Sequence, residues 1–289
     1  MIKKINLITL IFSLIVFCSC NEQSQENSQE ITKVVRQAPN DRQVDRFADV
    51  QVLRYDIKDF DQLSLDQKKL VYYLSEAGLS GRDIIYDQNN AFNLEIRRCL
   101  ESIVTNFIGD KETDDWYFFM TYIKQIWFAN GIHHHYGMEK FTPKFGKEFF
   151  DGLLNETGAI ISDEAKNVIF NSEIDNKRKV KDPTVDMIVA SANNFYGEGV
   201  TLKMVEEFYN IKIDTLDPRP IEYGLNSTLV LLNDTLKEDV WKSGGKYGKA
   251  IDKIIYNLEL ASQVAENEDQ KAALDKLVEY YKTGDLRTW

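Results

Sequence analysis

Asp114-Asp-Trp-Tyr-Phe-Phe-Met-Thr-Tyr-Ile-Lys-Gln-Ile-Trp-Phe-Ala-Asn-Gly-Ile-His-His-His-Tyr-Gly137 is the stretch on which the fold class turns. Asp114 and Asp115 stand where the positive end of a helix dipole favours carboxylates. Trp116, Phe119, Met120, Ile123, Trp127 and Phe128 then line much of the girth of a helix, which predicts a central, buried element. That helix runs into Gly131 and three consecutive imidazoles, His133, His134 and His135, the only histidines among 289 residues. Gly131 and Gly137 bracket the triplet, as expected of a bend where backbone closely approaches another group, such as a ligand.

Other helices flank this one. Ser64-Leu-Asp-Gln67 fits a capping box, and Leu70, Val71, Leu74 and Ala77 follow at helical spacing until Gly78 and Gly81. Residues 80–83 read as a linker. Over residues 89–107, Phe92, Ile96, Cys99, Leu100, Ile103 and Phe107 form one apolar stripe. Weaker helical patterns cover 147–154, 162–170 and 202–209, and stronger ones cover 250–265 and 269–282. Alternation after Val50 and the β-branched, aliphatic run over 223–232 predict strands. The expected class is α+β, helix-dominated.

Lys3 and Lys4 precede an apolar run, Ile5 to Phe17, that is too short to span a bilayer core and reads as a secretory leader. Phe17-Cys-Ser-Cys20 looks like a bacterial lipoprotein cleavage box, with Phe17 in place of the usual Leu and Cys20 as the lipidated residue. The alternative is an ordinary leader followed by a free cysteine. The expected organisation is a leader over 1–19, a flexible polar tether over 20–46 and a folded body over 47–289, lipid-anchored at the bacterial envelope (outer membrane or periplasmic face). Loss of the two leader lysines takes the formal charge from −11 to −13. So acidic a chain repels nucleic acid. Cys99 would then be alone in the body, which excludes an intramolecular disulfide framework.

Consecutive residues on a helix differ by about 100°, so the three histidines cannot converge on one ion there. On a strand, His133 and His135 would share a face, but no second histidine cluster or cysteine partner exists. No metal ligands are assigned. Tyr196-Gly-Glu-Gly199 and Ser243-Gly-Gly-Lys-Tyr-Gly248 contain glycine pairs but lack the residues of a phosphate loop, and read as a turn and a helix entry. No nucleophile has a nameable base, so no catalytic residue is assigned.

Three stretches carry a resemblance: Leu70-Val-Tyr-Tyr-Leu-Ser-Glu-Ala-Gly78, Trp127-Phe-Ala-Asn-Gly-Ile-His-His-His-Tyr-Gly-Met-Glu-Lys-Phe-Thr-Pro143, and the helical pair within 247–281. Their order resembles the N-terminal part of dipeptidyl peptidase III, a family of zinc exopeptidases that release dipeptides from peptide N-termini. The resemblance implies the lower lobe of a two-lobed metallopeptidase, a helix-rich body with a few strands of a small β-barrel. By position, His135, Tyr136 and Gly137 match residues lining the peptide subsites, with Tyr136 replacing a Phe. The family's zinc motif, His-Glu-x-x-Gly-His plus a later Glu, does not occur in this sequence. The chain is therefore expected to bind short peptides, hold no zinc itself, stop before the C-terminal catalytic lobe and be inactive alone. The other reading is a complete, non-catalytic helical surface lipoprotein that binds a peptide or protein partner.

Overall fold

The computed structural model describes residues 42–289, so the leader, Cys20 and the tether up to residue 41 lie outside the described residues. The chain divides into two units, Met1–Ile57 and Lys58–Trp289. Within the described part of the first, β1 (Gln43–Phe47) pairs antiparallel with β2 (Val50–Leu53). Ala48, at φ 43°, makes the tight turn between Phe47 and Val50, which are both buried. Residues 43–46, expected as the end of the tether, are therefore strand. The alternation that marks β2 continues backward across the turn, where its polar members hide it.

The second unit opens with α1 (Leu65–Ser80). Its capping box is formed: the Gln67 amide donates to Ser64 Oγ at 3.2 Å, and the Ser64 amide donates to Gln67 Oε1 at 2.9 Å. Leu70 and Ala77 are buried, while Val71 and Leu74 lie on the exposed face. The expected linker at 80–83 is instead the start of α2 (Arg82–Asn89). Gly81 keeps right-handed helical dihedrals, φ −84° and ψ −4°, so the chain turns without leaving the helical region.

Next come α3 (Asn93–Asn106) and α4 (Asp114–Ala129). α3 buries Ile96, Cys99, Leu100 and Ile103, with Phe107 just beyond it, which is the expected stripe. Burial pushes the Cys99 thiol up to about 11, so this cysteine is a core residue rather than a nucleophile. α4 is less enclosed than expected. It buries Trp116, Phe119, Tyr122, Ile123, Ile126 and Ala129, but Trp127 and Phe128 reach the surface. Trp127 Nε1 donates to Glu101 Oε1 at 3.0 Å. Around α3 and α4 pack α5 (Lys147–Thr157) and α6 (Asp163–Phe170), which complete the larger core through Phe150, Leu153, Ala165, Val168 and Ile169.

After α7 (Leu202–Asn210), β3 (Ser227–Leu232) and β4 (Thr235–Val240) form an antiparallel hairpin. Asn233 and Asp234 both take positive φ, 49° and 59°, as a two-residue hairpin turn demands. β4 escapes the sequence pattern because Thr-Leu-Lys-Glu-Asp-Val is mostly polar and largely exposed. α8 (Gly248–Gln263) and α9 (Glu268–Thr283) close the chain. α8 packs between α1 and α9, where Ile251, Ile254, Ile255 and Leu258 meet Ala77 and Val278 in a second core. The fold is α+β and helix-dominated, and its described strands form two separate hairpins rather than a closed barrel. No described helix is long and apolar enough to cross a membrane.

Candidate functional site

The three histidines leave α4 and take three different positions. His133 is 1% exposed, and its Nε2 meets the Asp175 carbonyl at 2.7 Å. A carbonyl only accepts, so Nε2 carries the proton, and Nδ1 is buried without a partner. His134 closes a turn: its Nδ1 accepts from the amides of Tyr136 at 3.2 Å and Gly137 at 3.0 Å, and its own amide donates to the Glu139 carbonyl at 2.7 Å. The His135 ring lies edge-on to Phe128, 4.9 Å away, and 4.4 Å from Tyr136. Tyr136 is 83% exposed at the tip of the loop.

The bracketing glycines serve different ends. Gly131, at φ 144°, approaches the buried amide of Asn93 so closely that a Cβ would lie 2.2 Å from Nδ2. The expected close approach is thus made to a core side chain of α3, not to a ligand. A Cβ on Gly137 would meet only the movable Glu139 carboxylate and the His134 ring.

Burial lowers His133 to about 4, against an ordinary 6.5. Between those values the unfolded chain binds more protons at this site than the folded one, so stability falls as pH drops from 6.5 to 4. The full window is worth roughly 3 kcal/mol. Urea denaturation across this range should show a steeper pH dependence in the wild type than in His133→Gln. Parallel curves would mean that His133 protonates equally well in both states.

An irregular ladder leads outward from this loop. Lys140 and Asn176 (amide to carbonyl) join at 2.9 Å, Arg178 and Met138 at 2.9 Å, and Ala192 and Lys177 at 3.0 Å. The Asn193 amide and side-chain Nδ2 both donate to the Arg178 carbonyl, at 3.2 and 3.0 Å. The ladder then reaches β3: the Gly197 amide donates to the Leu229 carbonyl at 2.8 Å, and the Leu229 amide donates to the Phe195 carbonyl at 3.3 Å. Gly197 makes a close approach there, since a Cβ would sit 3.1 Å from the Val230 Cα. Tyr196-Gly-Glu-Gly199 is therefore a backbone crossing at the sheet edge, with no sign of a phosphate cradle.

This ladder forms one wall of a cleft of about 750 Å³, within the common range for small-molecule sites. Met138, Arg178, Lys179, Asn193, Phe195 and Tyr196 line one part of it. Val205, Tyr209 and Ile213 from and just after α7, the segment 221–224, and Ser227 line the rest. Glu238 is already saturated: it accepts from Ser227 Oγ at 2.9 Å and Tyr209 OH at 3.2 Å, and pairs with Lys212 at 2.5 Å. Burial pushes the Tyr209 phenol up to about 12, so it stays a neutral donor.

No protein-family model and no curated protein matches the sequence. Among solved structures, it resembles dipeptidyl peptidase III from Caldithrix abyssi. The two share 16% identity at a TM-score of 0.48, over 80% of this chain and 33% of that one. The chain thus spans about a third of that protein's length.

Of the residues singled out in the sequence, His135, Tyr136 and Gly137 stay together on one loop but do not line the cleft. Their link to it is indirect, through Met138 and through Arg178 Nη2, which donates to the His135 carbonyl at 3.4 Å. The sequence reading missed Arg178, Lys179, Tyr209 and Tyr223. One signal was present: Lys177-Arg-Lys-Val-Lys181 is a basic run in an otherwise acidic chain.

Proposed function

We propose that this chain is a peptide-binding lobe of the dipeptidyl peptidase III type, anchored at the bacterial envelope through Cys20, with catalysis belonging to residues outside this sequence. The observation that carries the reading is the cleft of about 750 Å³ beside the His135-Tyr136-Gly137 loop. Its tyrosines and aliphatic side chains suit peptide side chains, and its amide, guanidinium and hydroxyl groups suit peptide carbonyls. Tyr136, exposed on the adjoining loop, offers a further aromatic face to a peptide that extends beyond the cleft.

The described histidines do not fit a zinc centre. His133 Nε2 is committed to a carbonyl and His134 Nδ1 to two amides. Among the described residues no three His, Cys, Asp or Glu side chains gather at one point. Zinc in such an enzyme would activate the attacking water, and none of this chain's residues is assigned to hold it.

Calorimetry of the full chain with a short peptide bearing a free N-terminus tests the reading. Binding is expected, weakened about 3- to 10-fold in Tyr136→Ala, the range for loss of one aromatic contact. If no short peptide binds, the reading is wrong. Incubation with zinc and a dipeptidyl-arylamide should release no arylamine; release would place catalysis within this chain.

A further inference from the structure

Arg178 is a half-buried cation on the cleft wall whose observed partners are all neutral. Nη1 donates to Asn89 Oδ1 at 3.1 Å, and Nη2 faces the His135 carbonyl and Met138 Sδ, both at 3.4 Å. No carboxylate pairs with Arg178 among the described residues. Several other partly buried cations of this unit are matched by carboxylates, Arg97 with Asp83 at 2.9 Å, Lys212 with Glu238 at 2.5 Å, and Lys246 with Asp87 at 3.9 Å, while Lys140 is held by three carbonyls at a helix end. A desolvated guanidinium without an anion is unfavourable in the free protein and is relieved when a ligand supplies one.

The surroundings point the same way. Burial alone draws the Arg178 guanidinium below its ordinary pKa, with no neighbouring carboxylate opposing the shift. Lys179 adds a second positive charge to the lining, while Glu222 is the one acidic lining residue among those described. The backbone on either side of Arg178 is held by Met138 and Asn193, so the side chain projects from a fixed base.

We propose that Arg178 anchors a carboxylate of the bound ligand, so that the cleft prefers anionic, partly apolar ligands. Arg178 is thus a specificity determinant. The inference rests on the peptide reading for the ligand's backbone, but the carboxylate preference stands on the cleft alone. Two sources could supply that group, a peptide's free C-terminus or an acidic side chain. Either can form paired, charge-assisted hydrogen bonds with the guanidinium.

Calorimetry on the full chain with four probes separates the cases: Gly-Leu-Tyr with a free C-terminus, Gly-Leu-Tyr amide, Gly-Glu-Tyr amide, and the non-peptide acid 3-phenylpropionate. In the wild type, the free acid should bind at least 10-fold more tightly than its amide. Tight binding of Gly-Glu-Tyr amide would assign the acidic side chain as a competent source. In Arg178→Gln the advantage of acid over amide should vanish, and in Arg178→Lys it should return in part. The acid–amide comparison is made within the wild type, so a poorly folded variant does not spoil it. Acid and amide binding equally well, with Gly-Glu-Tyr amide no tighter than Gly-Leu-Tyr amide, would overturn the Arg178 inference and leave the peptide reading intact. Phenylpropionate binding that depends on Arg178, with no peptide binding, would uphold the inference and end the peptide reading. No binding by any probe would overturn both.

Discussion

Gly131→Ala is expected to destabilise the protein by about 3–5 kcal/mol, more than any other single change around the histidine loop. Two effects combine. The backbone at φ 144° is a conformation that residues bearing a Cβ adopt only under strain. The new methyl would also overlap the amide of Asn93, which is fully buried. Asn93 cannot simply move aside, because its Nδ2 donates to the Tyr86 carbonyl at 3.0 Å and its Oδ1 accepts from the Ile132 amide at 3.0 Å. Displacing it would strand polar groups in the core, at about 1–3 kcal/mol each. Urea denaturation should place the midpoint of Gly131→Ala far below the wild type. Gly137→Ala, whose Cβ meets mainly a movable carboxylate, should stay within about 0.5 kcal/mol of it. Similar losses at both glycines would show that the loop, and not the Asn93 contact, sets the cost.

The second large effect is expected at Lys140. Its ammonium meets three carbonyls: Val168 at 2.8 Å, Asn171 at 2.7 Å, and Ile174. The first two belong to the C-terminal end of α6, where unpaired carbonyls and the negative end of the helix dipole favour a cation. Lys140→Met keeps much of the stem but leaves these acceptors without their donor, a loss of about 2–4 kcal/mol. Arginine should restore only part of this, since a planar fork cannot aim three donors at one cluster as an ammonium does. The Lys140 backbone also begins the ladder that carries Arg178, through its amide bond to Asn176 at 2.9 Å. Lys140→Met should therefore weaken ligand binding at the cleft as well as thermal stability. Unchanged affinity in a destabilised variant would show that the ladder holds its position without this lysine.

The Lys-Phe pair in the motif that suggested peptide binding thus has a structural task. Lys140 gathers the end of α6, and Phe141 packs against the larger core. The same holds for His133, which the sequence could rank only as a possible ligand or a loop residue. Its chemistry is set by the carbonyl of Asp175, 42 positions away, and by its enclosure in the core. Consecutive identical side chains invite one shared explanation. In this loop the His133 ring is buried, while one tight turn leaves the His134 and His135 rings packed on each other, 4.4 Å apart.

Local information was enough to determine most of the helices. Apolar spacing, the Ser64 capping box and the paired Asp114 and Asp115 act within a few residues, so they are readable from one chain. The class, α+β and helix-dominated, followed from that. The histidine run and its glycines also marked a bend after α4. Only the tertiary structure decided that Gly131 faces Asn93 rather than a ligand, and that a cleft forms at all. Its walls are drawn from residues 89 to 227, joined by a ladder of bonds between irregular segments. Such contacts have no periodicity and depend on internal segments, distant in sequence, brought together by the fold. Arg178 shows the difference most clearly: in sequence it is one of several basic residues, and in the fold it is a half-buried cation on the cleft wall, facing neutral partners.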